Sequence, residues 1–225
     1  MQFTINFYHE KRFFFNYSTH LSFNRFFSFT AMSQNEIDSI GNKQGEWILS
    51  NKNFTLKATF KDNKTVGSMR FYDNEKLVLE ATEGSDKIYT WKLYTNEGNK
   101  EGIAKNNEED LFRYYDLQSN EIDSITRNKL NEVGEIFPSY NGGMNQFHIY
   151  IAENIGKLNI KNGRFKVDFV INQNGKITDV KIVSSTNPDL NERIIHFFEN
   201  SPRWNPGFQR FRFVKVKMSI PLNLQ

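Results

Sequence analysis

Apolar and polar residues alternate along residues 163–171, near the C-terminal end of the chain. Every second position from Phe165 to Ile171 is a large apolar residue, and most positions between them are charged. A period of two predicts a strand with one buried face and one wet face. Gly175, in the turn that follows, can take the positive φ that a tight hairpin requires. Residues 176–183 predict the returning strand, and a slip in their apolar phase predicts a bulge or a late strand start.

A helical period replaces this alternation between Leu190 and Phe198, where apolar side chains recur at i, i+4, i+7 and i+8. This spacing predicts an amphipathic helix of about three turns. Asn187 is a candidate N-cap, because its side-chain oxygen can accept a free amide of the first turn. Pro188 suits the first helical position, and Pro202 is predicted to stop the helix.

A corner and a last strand end the chain. The corner is Trp-Asn-Pro-Gly at residues 204–207, and apolar residues then alternate with polar ones as far as Leu222. A hairpin, a helix and a third strand form a split β-α-β unit, in which a right-handed crossover places the third strand beside the first. The last strand is therefore expected at an edge of the sheet. Its unpaired amide and carbonyl groups either need protection or accept another strand.

The charges along this edge strand are consistent with protection of the edge and with peptide binding. Lysine and arginine are frequent between residues 203 and 217. These charges either guard the edge against aggregation or favour an acidic extended peptide. The predicted binding residues are Val214, Lys215, Val216, Lys217, Met218, Ser219 and Ile220.

The motifs between residues 137 and 224 resemble the C-terminal domain of TonB-like energy transducers. A Phe-Pro-Ser-Tyr-Asn-Gly-Gly segment precedes a helix with an apolar face, the hairpin follows, and Pro-Arg-Trp-Asn-Pro-Gly is similar to the corner of that family. Five such motifs occur in the right order and spacing. The motif residues are Pro138, Gly142, Gly143, Gly175, Pro202, Trp204, Pro206 and Gly207.

The resemblance implies an α+β domain with two helices and a three-stranded antiparallel-type sheet. It also implies a periplasmic protein that docks an extended peptide of an outer-membrane transporter by β-strand addition, linked to transmembrane transport. The chain has five prolines and no apolar run of membrane-spanning length. We therefore expect docking rather than force transmission.

Residues 41–117 predict an all-β repeat domain. Trp47, Met69 and Trp91 are spaced by 22 residues, and so are Tyr72 and Tyr94. A fixed period with an aromatic strand and a polar turn in each unit predicts a meander or an open solenoid. The pattern resembles MORN-type repeats. We expect the aromatic stripe to be mainly core, and its members are Trp47, Phe71, Tyr72, Trp91 and Tyr94.

The remaining segments complete the predicted domain organisation. Residues 118–136 are predicted to link the repeat domain to the C-terminal domain, residues 137–225. Residues 1–33 are interpreted as a signal peptide or a disordered tail, because Ala31 and Ser33 occupy the −3 and −1 positions of a signal peptidase site. We expect export to the periplasm. If this segment is not a signal, the chain is cytoplasmic.

Composition and motif searches argue against several function classes. The net charge of +3 is too small to indicate nucleic acid binding, and the absence of cysteine excludes disulfides and thiolate sites. The four histidines show no metal-binding spacing, and no nucleophile elbow or phosphate loop occurs. We predict no catalytic site, no metal, no cofactor, no small-molecule substrate and no enzymatic activity.

Two alternatives to transporter docking stay open at this stage. In the first, the exposed last strand pairs with its copy and gives a homodimer without another ligand. In the second, the β-repeat domain is the binding part, as an antitoxin-like module with no transport role. Sedimentation at several concentrations tests the first alternative, and deletion of residues 138–225 tests the second.

Overall fold

The computed structural model describes residues 34–51, 53–106, 112–156 and 162–224. The predicted signal peptide or tail, residues 1–33, lies outside the described residues. The described chain forms an antiparallel β meander followed by an α+β unit. This architecture confirms the predicted α+β class with a preceding all-β unit.

The meander consists of β1 (Glu36–Ile37), β2 (Lys43–Ser50), β3 (Phe54–Lys61), β4 (Lys64–Thr65), β5 (Ser68–Asp73), β6 (Lys76–Glu83), β7 (Ile88–Thr95), β8 (Gly98–Asn106) and β9 (Phe112–Asp116). The strand order is β1-β2-β3-β5-β6-β7-β8-β9, with β4 beside β3. All pairs are antiparallel. Short connections place each strand next to its predecessor, because antiparallel neighbours need only a tight turn between them.

One face of the meander carries the first hydrophobic core. Trp47, Phe71 and Trp91 are at most 3% exposed, which confirms these three predicted core positions. Tyr72 and Tyr94 are only half-buried, and the prediction that they belong to the core is wrong. Each is adjacent in sequence to a buried core residue, and neighbouring side chains of a strand point to opposite faces of the sheet.

The elements after the meander are α1 (Ser124–Val133), β10 (Ser139–Tyr140), α2 (Gly143–Ile155), β11 (Gly163–Ile171), β12 (Ile177–Ser185), α3 (Asn191–Glu199), β13 (Trp204–Asn205), β14 (Gly207–Gln209), β15 (Arg212–Val214) and β16 (Val216–Leu224). Short 3-10 turns occur at Ser85–Lys87 and Pro188–Leu190. Three of the strands form an antiparallel sheet in the order β12-β11-β16. The buried sides of β11 and β16 form the second hydrophobic core with α2 and α3.

The hairpin between β11 and β12 agrees with its sequence signals. Gly175 has a φ of 75°. The side-chain oxygen of Asn172 accepts hydrogen bonds from the backbone N–H groups of Asn174 and Lys176, at 2.9 and 3.0 Å. Two register shifts interrupt β12, and Asp179 has a φ of 54°, which confirms the predicted bulge.

The C-terminal helix starts later than the sequence predicts. Residues Pro188–Leu190 form a 3-10 turn, and α3 begins only at Asn191. Asn187 makes no side-chain capping hydrogen bond, so its predicted N-cap role is wrong. The reason is that the free amides of an α-helix, which an N-cap accepts, lie in its first turn, and this turn is beyond the reach of Asn187.

One hairpin joins the C-terminal unit to the first core. β14 and β15 form a two-stranded sheet, and their Phe208 and Phe211 are buried in the core of the meander. The ring centroid of Phe71 lies 5.9 Å from that of Phe208 and 6.3 Å from that of Phe211. This hairpin lies inside the predicted C-terminal domain, residues 137–225, so the two units share packed side chains.

The predicted linker, residues 118–136, contains the helix α1. Asp123 caps this helix, because its carboxylate accepts a hydrogen bond from the amide of Thr126 at 2.8 Å. Leu130 and Val133 on α1 are buried in the first core. Much of the segment is therefore packed against the meander, and the domain boundaries stay a prediction.

Candidate functional site

The last strand, β16, lies at one edge of the three-stranded sheet. It pairs only with β11 among the described strands, in an antiparallel register that runs without a shift from Gly163 opposite Leu224 to Ile171 opposite Val216. The third strand therefore lies beside the first, as the crossover rule predicts. The peptide-binding role of this strand stays a prediction at this point.

Arg164 in β11 shows in which direction the backbone groups of β16 point. Its amide donates to Thr186 Oγ1 at 2.9 Å, and its carbonyl oxygen accepts from the amide of Thr186 at 3.0 Å. Both groups therefore face the β12 side, and because backbone groups alternate along a strand, Phe165 and every second residue after it face β16. Their partners in β16 are Val216, Met218, Ile220, Leu222 and Leu224.

The residues between these partners direct their backbone groups away from the sheet, and we call these groups the outer edge. The outer edge comprises the N–H and C=O groups of Lys217, Ser219 and Asn223 and the C=O group of Pro221. Proline has no N–H group, so Pro221 removes a donor from the outer edge without breaking a bond to β11. In the part of the chain that the structure describes, no backbone hydrogen bond joins the outer edge to another segment.

The side chains beside the outer edge differ between the two faces of the sheet. On the core side, Ile220 is buried and Met218 is half-buried. On the opposite face, Lys217 Nζ lies 3.2 Å from Asp168 Oδ2. Burial opposes ionisation of Asp168, but Ser219 and Lys217 outweigh it, and the pKa of this carboxyl is lowered. A strand added here would meet an apolar side chain on one face and an ion pair on the other.

The predicted site residues fall on two elements. Val216 to Ile220 lie in β16, as predicted. Val214 instead belongs to β15, where it pairs with Gly207, and Lys215 lies between β15 and β16. The predicted continuous strand from Val214 is therefore wrong at its start.

The hairpin β14–β15 is the structural element that sequence reasoning missed. Its turn contains Arg210 and Phe211, with φ values of 51° and 61°. Tight hairpin turns with positive φ usually carry Asn, Asp or Gly at these positions, so the sequence lacks the usual signal. The apolar residues Phe208 and Phe213, which pair across the hairpin, were the only available hint.

The edges of the meander are closed by the chain itself. At β2, the side-chain amide of Asn35 donates to the carbonyl oxygen of Ile48 at 3.0 Å and accepts from its amide at 2.8 Å, so it takes the place of a neighbouring strand. At β9, the amide of Ile122 donates to the carbonyl oxygen of Tyr114 at 3.3 Å. Such closure protects an edge against further pairing.

The other edge of the three-stranded sheet is irregular. β12 pairs with β11 through two register shifts, and bulges of this kind obstruct regular pairing with an added strand. β16 has no such shift. Of the edges at β2, β9, β12 and β16, the outer edge of β16 is therefore the one that is both regular and uncovered.

Several motif residues fix the position of β16. Trp204 is buried 4.9 Å from the ring of Phe147, and its amide donates to the carbonyl oxygen of Gly175 at 2.8 Å. Gly207 lies against the start of β16, since an added Cβ would approach Val216 Cγ2 to 2.6 Å. Of the other motif residues, Pro138 and Pro206 are buried. The exposed ones are Gly142, Gly143 and Pro202.

The described residues include no group of three or more His, Asp or Glu that could hold a metal ion. His148 Nε2 is buried and has no hydrogen-bond partner among the described residues, and burial lowers the pKa of His148. His196 is exposed, with its Nδ1 atom 3.4 Å from Glu199 Oε2. None of the described helices has the length and apolar character needed to cross a membrane. The predicted absence of catalytic and metal sites stays a prediction.

Comparison with known proteins identifies the unit that contains this edge. Residues 157–224 match the family model of the Gram-negative bacterial TonB protein C-terminal region, TonB_C. These residues form a TonB C-terminal domain. The match covers β11 to β16 and confirms the predicted family, although it begins after the Pro138, Gly142 and Gly143 motif.

The TonB C-terminal family consists of protein-interaction domains without enzymatic activity. Its members act at the cell envelope in transport, and their typical partners are outer-membrane transporters. The matched residues are less than a third of the chain. No curated protein and no solved structure matches the chain, and the resemblance of the meander to MORN-type repeats stays a prediction.

Proposed function

We propose that the chain is a periplasmic docking protein whose outer edge binds an extended peptide of an outer-membrane transporter by β-strand addition. The observation that carries the proposal is the regular, uncovered edge of β16 inside a TonB C-terminal domain. Strand addition obtains affinity from main-chain hydrogen bonds and specificity from the alternate side chains beside them. Both are available along β16.

Pro221 limits the length of the bound peptide. The outer edge offers N–H donors at Lys217 and Ser219 and then none until Asn223, because Pro221 interrupts the series. An incoming strand therefore pairs mainly with residues 216–220. This short pairing corresponds to a reversible complex rather than a permanent one.

The charges and burial near the outer edge favour an acidic peptide with one apolar side chain. Residues from Pro138 onward include 12 basic and 6 acidic residues, and Lys215 and Lys217 are exposed beside the edge. Complementary charge raises the association rate and selects the partner. Met218 is half-buried on the core side, where an apolar side chain of the peptide would contact it.

Substitution of Ser219 by proline tests strand addition directly. Ser219→Pro removes an outward N–H but keeps the bonds to β11, as Pro221 already does two residues later. We expect binding of a synthetic N-terminal peptide of an outer-membrane transporter to weaken by about tenfold, in a variant that still unfolds cooperatively on heating. Isothermal titration calorimetry measures this affinity, and an unchanged affinity contradicts the proposal.

Pro221→Val is the matched variant that adds an outward N–H group instead of removing one. It restores one donor to the outer edge, so we expect tighter peptide binding than in the wild type. Val216→Pro serves as the contrast, because the N–H of Val216 faces Ile171 of β11 and its loss weakens the fold. Weaker binding by Pro221→Val in a folded protein would count against pairing at this edge.

Self-association is the second candidate function, and the same uncovered edge supports it, since β16 can pair with β16 of another copy. Sedimentation velocity at several protein concentrations distinguishes peptide docking from self-association. A monomer at all concentrations that binds the peptide supports docking. A dimer that the peptide does not dissociate supports self-association.

Periplasmic location rests on the family and on the predicted signal peptide. If residues 1–33 are removed on export, the periplasmic protein begins at Gln34. N-terminal sequencing of the protein from a periplasmic extract tests this prediction. Recovery of the chain with residues 1–33 intact in the cytoplasmic fraction contradicts it.

A further inference from the structure

The three-stranded sheet of the TonB C-terminal domain has a second face, opposite the core that it shares with α2 and α3. Phe165, Val167 and Phe169 of β11 are buried in that core, so the residues between them point to the other side. Paired residues of neighbouring strands share a face. We call this side the sheet face, and its members are Arg164, Lys166, Asp168 and Val170 of β11, Thr178, Lys181 and Ser184 of β12, and Lys217, Ser219, Pro221 and Asn223 of β16.

Cations outnumber carboxylates on the sheet face. Its exposed basic residues are Arg164, Lys166, Lys181 and Lys217. The one carboxylate of the face belongs to Asp168, and Lys217 Nζ lies 3.2 Å from its Oδ2 atom. Among the residues that the structure describes, Lys166 and Lys181 have no carboxylate partner within ion-pair distance. The end near the hairpin turn adds one carboxylate, in the bulge of β12, and two lysines, all of them exposed: Asp179, Lys176 and Lys215.

The helix layer of the same domain carries the opposite charge. The helices α2 and α3 and the 3-10 turn before α3 contain one exposed arginine, Arg193. Their exposed carboxylates are those of Glu153, Asp189, Glu192 and Glu199. The domain therefore has a positive side and a negative side. In the field of an anionic surface, such a molecule turns its positive side toward that surface.

The cations of the sheet face are spread in two dimensions. They lie on all three strands, which span roughly 10 Å across the sheet, and Arg164 and Lys166 are about 7 Å apart along β11. The side chains between them are short, and they include Ser184, Ser219, Pro221 and Asn223. An extended polymer follows one line across such a surface, whereas a plane of charged headgroups contacts all of its cations at once.

Two other classes of partner fit the sheet face less well. None of its members is aromatic, and single-stranded nucleic acids bind by stacking their bases on aromatic side chains. Lys166, Asp168 and Lys181 occupy its centre, whereas the centre of a protein interface is depleted of charged residues. Val183, the extra residue of the bulge opposite Lys166, is 54% exposed. An apolar side chain beside lysines is typical of a surface that lies on a membrane.

We propose that the sheet face binds the surface of a bilayer that contains anionic phospholipids, with Lys166 and Lys181 at the headgroup phosphates. Each lysine near an anionic bilayer strengthens binding by about fivefold. In this orientation β16 lies parallel to the membrane, and its outer edge opens sideways. The inference does not depend on peptide docking, because the outer edge uses backbone groups in the plane of the sheet and the sheet face uses side chains that leave this plane.

Co-sedimentation of the full chain with lipid vesicles tests this proposal. We expect the protein to sediment with vesicles of equal parts phosphatidylcholine and phosphatidylglycerol, and to stay in solution with vesicles of phosphatidylcholine alone. High salt should release it, because salt screens exposed charges. Binding to both kinds of vesicle, or to neither, contradicts the proposal. So does equally tight binding to poly-glutamate or to a single-stranded oligonucleotide at the same concentration of charge, which would assign the face to a soluble polyanion.

Single cysteines test the orientation of the bound protein, since the chain has no cysteine of its own. A fluorophore on Ser184→Cys, on the sheet face, should be quenched by a lipid with a nitroxide on its headgroup. The same fluorophore on Ala152→Cys, at an exposed position of α2, should keep its fluorescence. Equal quenching at the two positions, or quenching at Ala152→Cys alone, contradicts binding through the sheet face.

Lys166→Gln with Lys181→Gln then locates the binding surface. We expect the affinity of this double variant for the anionic vesicles to fall by about 25-fold, while its affinity for the transporter peptide stays close to that of the wild type. Lys61→Gln with Lys64→Gln removes two exposed lysines of the meander instead. This control has the same net charge and should bind the vesicles like the wild type. Unchanged vesicle binding by the first variant, or an equal loss in both, contradicts the assignment.

Discussion

The ammonium group of Lys43 donates a hydrogen bond to Asn174 Oδ1 at 2.9 Å, across 131 positions of sequence. Lys43 belongs to the meander, and Asn174 lies in the hairpin turn of the TonB C-terminal domain. The same ammonium lies 4.2 Å from the ring centroid of Phe213 in β15 and 5.6 Å from that of Trp47. Lys43 is only 4% exposed, so three parts of the chain meet around one buried cation.

The burial of Lys43 predicts a pH dependence of stability. Burial lowers the pKa of Lys43 from 10.5 to about 8. Between these two values the unfolded chain binds more protons than the folded chain, so the free energy of unfolding rises with pH. We expect a gain of about 2 kcal/mol between pH values of about 7.5 and 9.5. Urea unfolding at both pH values measures it.

Lys43→Met is the informative variant, because it keeps the aliphatic length and removes the charge. We expect the rise in stability over this pH range to be much smaller than in the wild type. Lys61→Met, at an exposed position in β3, should keep the rise. An equal rise in Lys43→Met and in the wild type would show that another group is responsible.

Gly175 and Gly67 form a matched pair for the contact between the hairpin turn and Trp204. Their φ values are 75° and 77°. A Cβ at Gly175 would lie 1.8 Å from the carbonyl oxygen of Trp204, whereas a Cβ at Gly67 would meet nothing within 4 Å. Gly67→Ala should cost about 1–2 kcal/mol for the backbone conformation alone. Gly175→Ala should cost clearly more, or prevent folding.

Thermal and urea unfolding of the two alanine variants measure these costs. Equal destabilisation would mean that the turn does not press against Trp204. The proposed peptide site predicts a further difference. Gly67→Ala should bind the transporter peptide like the wild type, since Gly67 lies between β4 and β5 of the meander, outside the three-stranded sheet.

The hairpin β14–β15 predicts that the meander and the TonB C-terminal domain unfold together. Phe211 is 3% exposed, and its ring lies 5.6 Å from that of Tyr89 and 5.9 Å from that of Phe112. Phe211→Ala should lower the free energy of unfolding by about 3–5 kcal/mol. The transitions followed by tryptophan fluorescence and by circular dichroism should coincide.

The control for this variant is Leu117→Ala, because Leu117 is 63% exposed and its loss should change stability by less than about 0.5 kcal/mol. Two separate transitions in the wild type, or a Phe211→Ala variant as stable as the control, would show that the two units are independent.

The sequence predicted the C-terminal sheet well because each signal there was local. The alternation from Phe165 to Ile171, the turn at Gly175 and the period from Leu190 to Phe198 each depend on a few neighbouring residues. The position of β16 at an edge then followed from the handedness of the crossover. The match of residues 157–224 confirms the family that these motifs indicated.

Two features were not predictable by the same reasoning. The β14–β15 hairpin turns at Arg210 and Phe211, which carry no turn signal, and its burial depends on residues of the meander that are distant in sequence. The assignment of Tyr72 and Tyr94 to the core failed for a different reason. A repeat period shows which residues are equivalent, but the face on which they lie depends on the phase of the strand.

Amide hydrogen exchange of β16, followed by NMR, tests the docking proposal most directly. Without peptide, the amides of Lys217, Ser219 and Asn223 should exchange rapidly, while those of Met218, Ile220 and Leu222 should be protected by β11. On addition of the transporter peptide, the amides of Lys217 and Ser219 should become protected. Protection of these two amides in the free protein, or unchanged exchange when the peptide is bound, would contradict strand addition at this edge.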